Sequence, residues 1–247
     1  MTEKEYISDT EKINRDELTN LLKTCPIPED QLLANMGIFL TSKNLSRILF
    51  MNDIYQKVVE VPGIVMEFGT RWGQNTTIFS TLRGIYDPFN RHRKVVCFDT
   101  FTGFPNVTVE DGTSELMKVG SVSTTQNYEE YLAKVLSCHE KLNPIEHLKK
   151  FEIVKGDVME TLPKYLKEYP ETIISLAYFD MDLYQPTKSC LRSIRERMPK
   201  GSIVAFDELS DKDSPGETLA LMDTHGVFNV TLRRPRYTSR VSYFVVE

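Results

Sequence analysis

The sequence predicts a doubly wound α/β fold around a mostly parallel sheet, on three observations. Short apolar runs (Ile64 to Phe68, Lys94 to Phe98, Phe151 to Val154, Ile173 to Phe179 and Ser202 to Phe206) alternate with stretches of helical period. The run from Ile173 to Phe179 is interrupted only by Ser175, which suits a strand covered on both faces. Glycines or carboxylates close the runs, at Gly69, Asp99, Gly156-Asp157, Asp180 and Asp207, and in a parallel sheet all such ends open on one edge, where ligands sit.

With 247 residues, 40% hydrophobic and 26% charged, the chain has the material for a core and is too apolar for a disordered one. Its net charge of −5 argues against a nucleic-acid partner held by phosphate neutralisation. No apolar run reaches the roughly eighteen residues of a membrane span, and the first twenty positions are charged and polar. Neither a membrane segment nor a signal peptide is expected, and the expected location is the cytoplasm. The 4 cysteines form no CxxC pair and the 4 histidines no HxxxH or HExxH, so reduced thiols and no histidine metal site are expected.

Residues 1 to about 12 are polar and expected to be frayed. A helix is predicted from Asp16 to Lys23 and a longer one from Ser42 to the Pro62-Gly63 break, with Asn35-Met36-Gly37 between them. These precede the first strand, so residues 1–60 read as a helical cover or oligomerisation segment, and residues 61–247 as the α/β domain. After Ile64 to Phe68 the chain turns through Gly69-Thr70-Arg71-Trp72-Gly73, whose glycines permit close approach of a ligand; it is not a GxGxxG fingerprint. A helix to Asp87-Pro88 follows. The second strand ends at Asp99, where nucleotide-binding α/β folds place the acid that holds a ribose diol. The loop Thr100-Phe101-Thr102-Gly103-Phe104-Pro105 is too aromatic for a solvated turn, and residues 106–125 have no period, which predicts a lid. A helix from Tyr128 to Lys141, the third strand and a short amphipathic helix lead to Ile173. The chain closes with a helix near Thr218 to Thr224 and two strands, Phe228 to Leu232 and Val241 to Val246, the last antiparallel.

The acids at the ends of the fourth and fifth strands carry the predicted chemistry. Asp180 lies 27 and 28 residues before Asp207 and Glu208, one strand-helix-strand unit, so the three carboxylates meet at one edge. Such a cluster repels itself unless a cation neutralises it, and hard oxygen ligands suit Mg²⁺, Ca²⁺ or Mn²⁺. In the simpler alternative Asp182 caps the following helix and Asp207-Glu208 is solvated loop.

Taken together, Glu67-Phe68-Gly69, Asp99-Thr100-Phe101-Thr102-Gly103-Phe104-Pro105, Gly120-Ser121-Val122-Ser123, Lys155-Gly156, Asp180-Met181-Asp182-Leu183-Tyr184 and Asp207-Glu208 resemble the macrocin O-methyltransferase family of class I S-adenosylmethionine-dependent methyltransferases. The resemblance spans about Asn35 to Leu209. It implies a Rossmann-like fold with a seven-stranded sheet. It implies S-adenosylmethionine as cofactor, with Glu67 and Gly69 along its methionine part, Asp99 on the ribose, and Gly156-Asp157 bordering the adenine. Thr70, Thr100, Phe101 and Gly103 would belong to the same pocket, as would Ser121 and Ser123 from the lid, Met36 from the cover, and Asp180. It also implies a divalent metal, Mg²⁺ foremost, on Asp180, Asp207 and Glu208, with Asp182 as general base beside Asp180. The expected acceptor is a hydroxyl of a sugar-containing small molecule, and the expected assembly a homo-oligomer. Two departures stand out: Glu208 replaces the family's second Asp, and the glycine turn reads Thr70-Arg71-Trp72-Gly73-Gln74.

Other readings are weaker. An amino-group methyltransferase would show Asn/Asp-Pro-Pro-Tyr/Phe after the fourth strand, and a dehydrogenase GxGxxG. A catalytically silent scaffold subunit with this fold, or an acceptor without sugar, remains as an alternative.

Overall fold

The computed structural model describes residues 8–247. The chain divides into two compact units, Met1–Leu49 and Phe50–Glu247. The first carries α1 (Asp9–Lys23), α2 (Glu29–Leu32), a 3-10 segment over Leu33–Phe39 and the start of α3 (Ser42–Val58). Helix α1 begins seven residues earlier than the apolar pattern predicts, because the Ser8 hydroxyl accepts from the Glu11 N–H and Asp9 and Glu11 favour the first turn. Positions 9–12 are thus helical rather than frayed; residues 1–7 lie outside the described residues. Neither α1 nor the Leu33–Phe39 segment buries a residue.

In the second unit the order is β1 (Ile64–Phe68), α4 (Gln74–Tyr86), β2 (Val95–Asp99), α5 (Tyr128–Lys141), β3 (Phe151–Lys155), α6 (Val158–Glu168), β4 (Ile174–Phe179), α7 (Tyr184–Ile194), β5 (Ile203–Phe206), α8 (Gly216–Thr224) and β6 (Ser242–Val245). The sheet runs β3-β2-β1-β4-β5-β6, parallel except for β6, with the reversal of strand order between β1 and β4. One face is covered by α6, α7 and α8 around Leu162, Leu191 and Leu221, and the other by the second half of α3 and by α4 around Phe50, Ile54 and Phe79. Among the described residues no helix is long and apolar enough to cross a membrane, and all four cysteines are free.

The sheet has six strands among the described residues, one fewer than expected. The segment Phe228 to Leu232, expected as a strand, is instead a 3-10 turn over Val227–Asn229 followed by irregular chain, and only Arg233 bridges to Tyr243. Phe228 is 98% exposed, so its side chain supplies none of the burial that holds a strand in place. Pro235 then has no N–H to continue the ladder.

Register sets the site. Phe68 pairs with Phe98 on one side and Phe179 on the other, and Phe179 pairs with Phe206. The four rings stack at centroid separations of 5.3, 4.8 and 5.3 Å, forming an aromatic rung across the sheet. Each of these phenylalanines is the residue before Gly69, Asp99, Asp180 or Asp207, so the rung brings those four positions to one level.

Arg93, 1% exposed, holds the entry to the sheet. Its guanidinium donates to the carbonyls of Val58, Val59, Val61 and Gly63, which cap the end of α3, and to Asp87. Arg93→Ala would strand those carbonyls and the Asp87 charge, so urea denaturation should show a loss of about 3–5 kcal/mol. A loss below about 1 kcal/mol would contradict the assignment.

Candidate active site

The turn after β1 is shaped by a neighbouring strand. Gly69 has φ +89, and a Cβ there would lie 1.9 Å from the Asp180 carbonyl oxygen. The close approach expected of a ligand is therefore made by the backbone of Asp180, and glycine is required for β1 and β4 to end side by side. Glu67 is fully buried in β1 and accepts from the hydroxyl of Thr76 in α4. At the end of β2 the two oxygens of Asp99 accept from the N–H of Arg71 at 2.7 Å and the N–H of Phe101 at 2.6 Å. Burial raises the Asp99 pKa, and these amides work against that rise. Both donors sit at positive φ, 47° and 59°.

The loop after Asp99 is internally tied. Thr100 donates from its hydroxyl to Gly103. Thr70 is buried at the β1 turn. The Phe101 ring leaves the strand edge and packs with Leu132, Leu136 and Phe151 between α5 and β3. Gly156 donates its N–H to the Asp99 carbonyl. The carboxylate of Asp157 caps α6 through the Met159 N–H. The lid predicted over 106–125 is laid down by backbone bonds, Phe104 N–H to the Ser121 carbonyl and Gly120 N–H to the Phe104 carbonyl. Ser121 is half-buried there and Ser123 exposed. Met36 lies in the N-terminal unit, 38% exposed.

Carboxylates crowd the ends of β4 and β5. Asp180 accepts from the amide of Asn75 at 3.4 Å. Asp207, 1% exposed, accepts from the Tyr178 hydroxyl at 2.8 Å, and Glu208, 3% exposed, accepts from the Ser214 hydroxyl. Arg240 bridges these two acids, with Nε 3.1 Å from Asp207 and Nη2 against Glu208. Asp182 sits at φ +61 in the turn between β4 and α7. Burial, then the charge of Asp207, pushes its pKa up to about 6. Glu217 at the start of α8 is fully buried; one oxygen accepts from the Met181 N–H at 3.0 Å and the other has no hydrogen-bond partner among the described residues. Its pKa is raised well above the usual range by burial, then by Asp182.

The alternative in which Asp182 caps α7 is not met: the first N–H of that helix, of Tyr184, goes to Asp111 at 2.6 Å. Asp180, Asp207 and Glu208 do reach adjacent strand ends, but among the described residues no group of three or more acidic, histidine or cysteine side chains is gathered to hold a metal ion. Arg240 occupies two of the three acids and Asn75 faces the third. Sequence reasoning missed Arg240, Glu217, Asp111, Thr76 and Asn75. The one available signal was a glutamate directly after the Pro215-Gly216 helix start, facing an apolar stretch.

The family model for macrocin O-methyltransferase (TylF) matches residues 42–220. Among solved structures, the chain is similar to the calicheamicin methyltransferase CalS11, with TM-score 0.95 and 41% identity over 97% of this chain and 93% of that one. A second structure, apo CalS11, described as a TDP-rhamnose 3'-O-methyltransferase of calicheamicin biosynthesis, gives 0.86 and 39% over 97% and 95%. The O-methyltransferase NovP gives 0.61 and 19% over 81% and 79%, a likeness of fold. Among curated protein sequences, none matches.

The Asp182 environment sets a pH dependence. An unfolded aspartate titrates near about 3.9, and Asp182 in the fold at about 6. Between these values the folded chain holds the extra proton, so this group's contribution to stability falls as pH rises through that window and stays low above it. Asn suits the left-handed backbone at this position. Metal-free Asp182→Asn should exceed the parent by about 1–3 kcal/mol at neutral pH in urea melts, with the advantage gone near pH 4. An advantage independent of pH would contradict this environment.

Proposed function

The chain belongs to the macrocin O-methyltransferase family of S-adenosylmethionine-dependent O-methyltransferases, and we propose that it methylates a hydroxyl of a sugar, with a divalent cation bound at the strand ends. The reading is carried by the convergence of Asp99, Asp180 and Asp207 one step beyond the aromatic rung, with Asp182 in the turn that follows Asp180. A nucleotide-linked deoxysugar is the proposed acceptor class, supported by the description of CalS11 as acting on TDP-rhamnose.

Asp99 fits a ribose diol: its carboxylate only accepts, and the Arg71 and Phe101 amides fix its orientation. Glu67, Gly69 and Thr70 would line the methionine end, with Thr100, Phe101, Gly103, Gly156 and Asp157 around the nucleoside and Ser121 and Ser123 closing over it. The cofactor supplies an electrophilic methyl group on its sulfonium. Asp182 would take the proton of the acceptor hydroxyl whose oxygen receives that methyl group. With a pKa of about 6 it is ionised at neutral pH and remains a competent base. Holding oxygen and methyl in line supplies much of the rate, and no covalent enzyme intermediate is needed.

The donor set fits a hard divalent cation. Asp180, Asp207 and Glu208 offer only oxygen, and Arg240 brings one positive charge against Asp207 and Glu208. Those three acids would hold it, with Arg240 giving up a carboxylate, and the bound ion would make the acceptor hydroxyl more acidic.

The N-terminal unit is proposed to join subunits of a homo-oligomer. Ile13, Leu33 and Ile38 are 66%, 87% and 61% exposed, a surface that a second copy would cover. A chain shortened to begin at residue 41 should lose mass in light scattering; an unchanged assembly would count against the proposal.

S-adenosylhomocysteine at about a hundred times its dissociation constant should add about 2.7 kcal/mol of stability. Asp99→Ala should lose most of that, and Asp182→Asn should keep it while turnover of a nucleotide-linked deoxysugar falls by about 10²–10⁴. Absence of any cofactor-induced stabilisation would favour a catalytically silent scaffold.

A further inference from the structure

The helix α7 that carries the Asp182 turn cannot cap itself. Its N-cap is Leu183, in extended conformation with no side-chain acceptor. The acceptor comes instead from the lid. Asp111, 73 residues earlier in sequence and 1% exposed, takes the Tyr184 N–H on Oδ1 at 2.6 Å. Its Oδ2 takes the Thr108 N–H at 2.6 Å and the Thr108 hydroxyl at 3.0 Å, closing the 3-10 turn Val109–Asp111. A carboxylate at a helix N-terminus is stabilised by the unsatisfied amides and the helix dipole.

The same turn is held from two more sides. Leu183 packs with Phe104 and Met117, residues of the lid and of the loop leading into it. From α8, Glu217 takes the Met181 N–H. Gly216 lies so close that a Cβ would come 2.3 Å from the Asp182 carbonyl oxygen. Asp182 sits between these anchors at φ +61, a conformation unfavourable for an L residue that persists where the surroundings impose it.

We infer that Asp111 is a positioning residue that couples docking of the lid to the placement of Asp182. When the 3-10 turn is seated, its carboxylate starts α7 and fixes the turn that presents the base; when it is unseated, α7 loses its cap and Leu183 its cover. The inference rests on the reading of Asp182 as the general base.

The test compares Asp111→Ala, Asp111→Asn and Asp182→Asn in the full chain. It measures turnover, KM for the acceptor, S-adenosylhomocysteine affinity and amide hydrogen exchange across residues 181–190. Asp111→Ala should lower kcat about ten- to a hundredfold, the scale of a misplaced catalytic group. Cofactor affinity should stay within about twofold, and exchange at 181–190 should accelerate. Asp111→Asn retains an acceptor for Tyr184 and should recover most of both the rate and the protection; if the alanine variant does not fold, this one is compared with the parent and should exchange faster at 108–111 than at 181–190. Unchanged kcat, unchanged exchange at 181–190, or a loss of rate accompanied by an equal loss of cofactor affinity would each overturn the coupling. Undiminished turnover in Asp182→Asn would instead remove the base, while accelerated exchange in Asp111→Ala would still support the link from lid to turn.

Discussion

The register of four parallel strands is the constraint from which the rest follows. Because Phe98, Phe68, Phe179 and Phe206 stack as one rung, the next residue of each strand emerges at the same level on the opposite face. Three of those residues are aspartates and the fourth is Gly69, whose missing Cβ lets the β1 and β4 ends lie together. A slip of one residue in any pair would send an aspartate toward the core formed with α6, α7 and α8, and the apolar rung into the crevice. Packing of the aromatic face thus enforces the convergence of the acids.

Convergence creates an electrostatic problem whose effects appear throughout the site. Asp182 is pushed up by burial and by Asp207, and Glu217 by burial and by Asp182. Arg240 supplies one positive charge against Asp207 and Glu208. Buried carboxylates at this density persist only where opposite charge and hydrogen-bond donors reach them. Tyr178, Ser214, Asn75 and the Met181 amide supply the donors. In the proposed reading Asp182 takes the acceptor's proton, while Asp180, Asp207 and Glu208 hold the cation.

How much was legible in the sequence follows from the range of the interactions involved. The β1, β2, β4 and β5 strands were visible because strands buried on both faces are continuous apolar runs, and α5 because its apolar period is regular from Tyr128 to Lys141. The acids were visible because strand ends in a parallel sheet share an edge. Phe228 to Leu232 misled because apolar composition says nothing of whether a partner strand exists. Arg240, Glu217 and Asp111 were invisible because each acts on residues 32 to 73 positions away in sequence, through contacts that only the tertiary fold brings about. The aromatic-acid pairs Phe98-Asp99, Phe179-Asp180 and Phe206-Asp207 were in plain view. Their shared level needed the register.

In the proposed function the acid cluster at the ends of β4 and β5 takes a divalent cation in competition with Arg240. Calorimetric titration of exhaustively chelated protein with Mg²⁺ at neutral pH tests it most directly, in the parent chain and in Arg240→Ala and Asp207→Ala. The account predicts one site per chain, tighter binding once Arg240 is removed and loss of binding once Asp207 is removed. Absence of binding in the parent and in Arg240→Ala alike would contradict it, leaving the cluster as carboxylates neutralised by arginine alone.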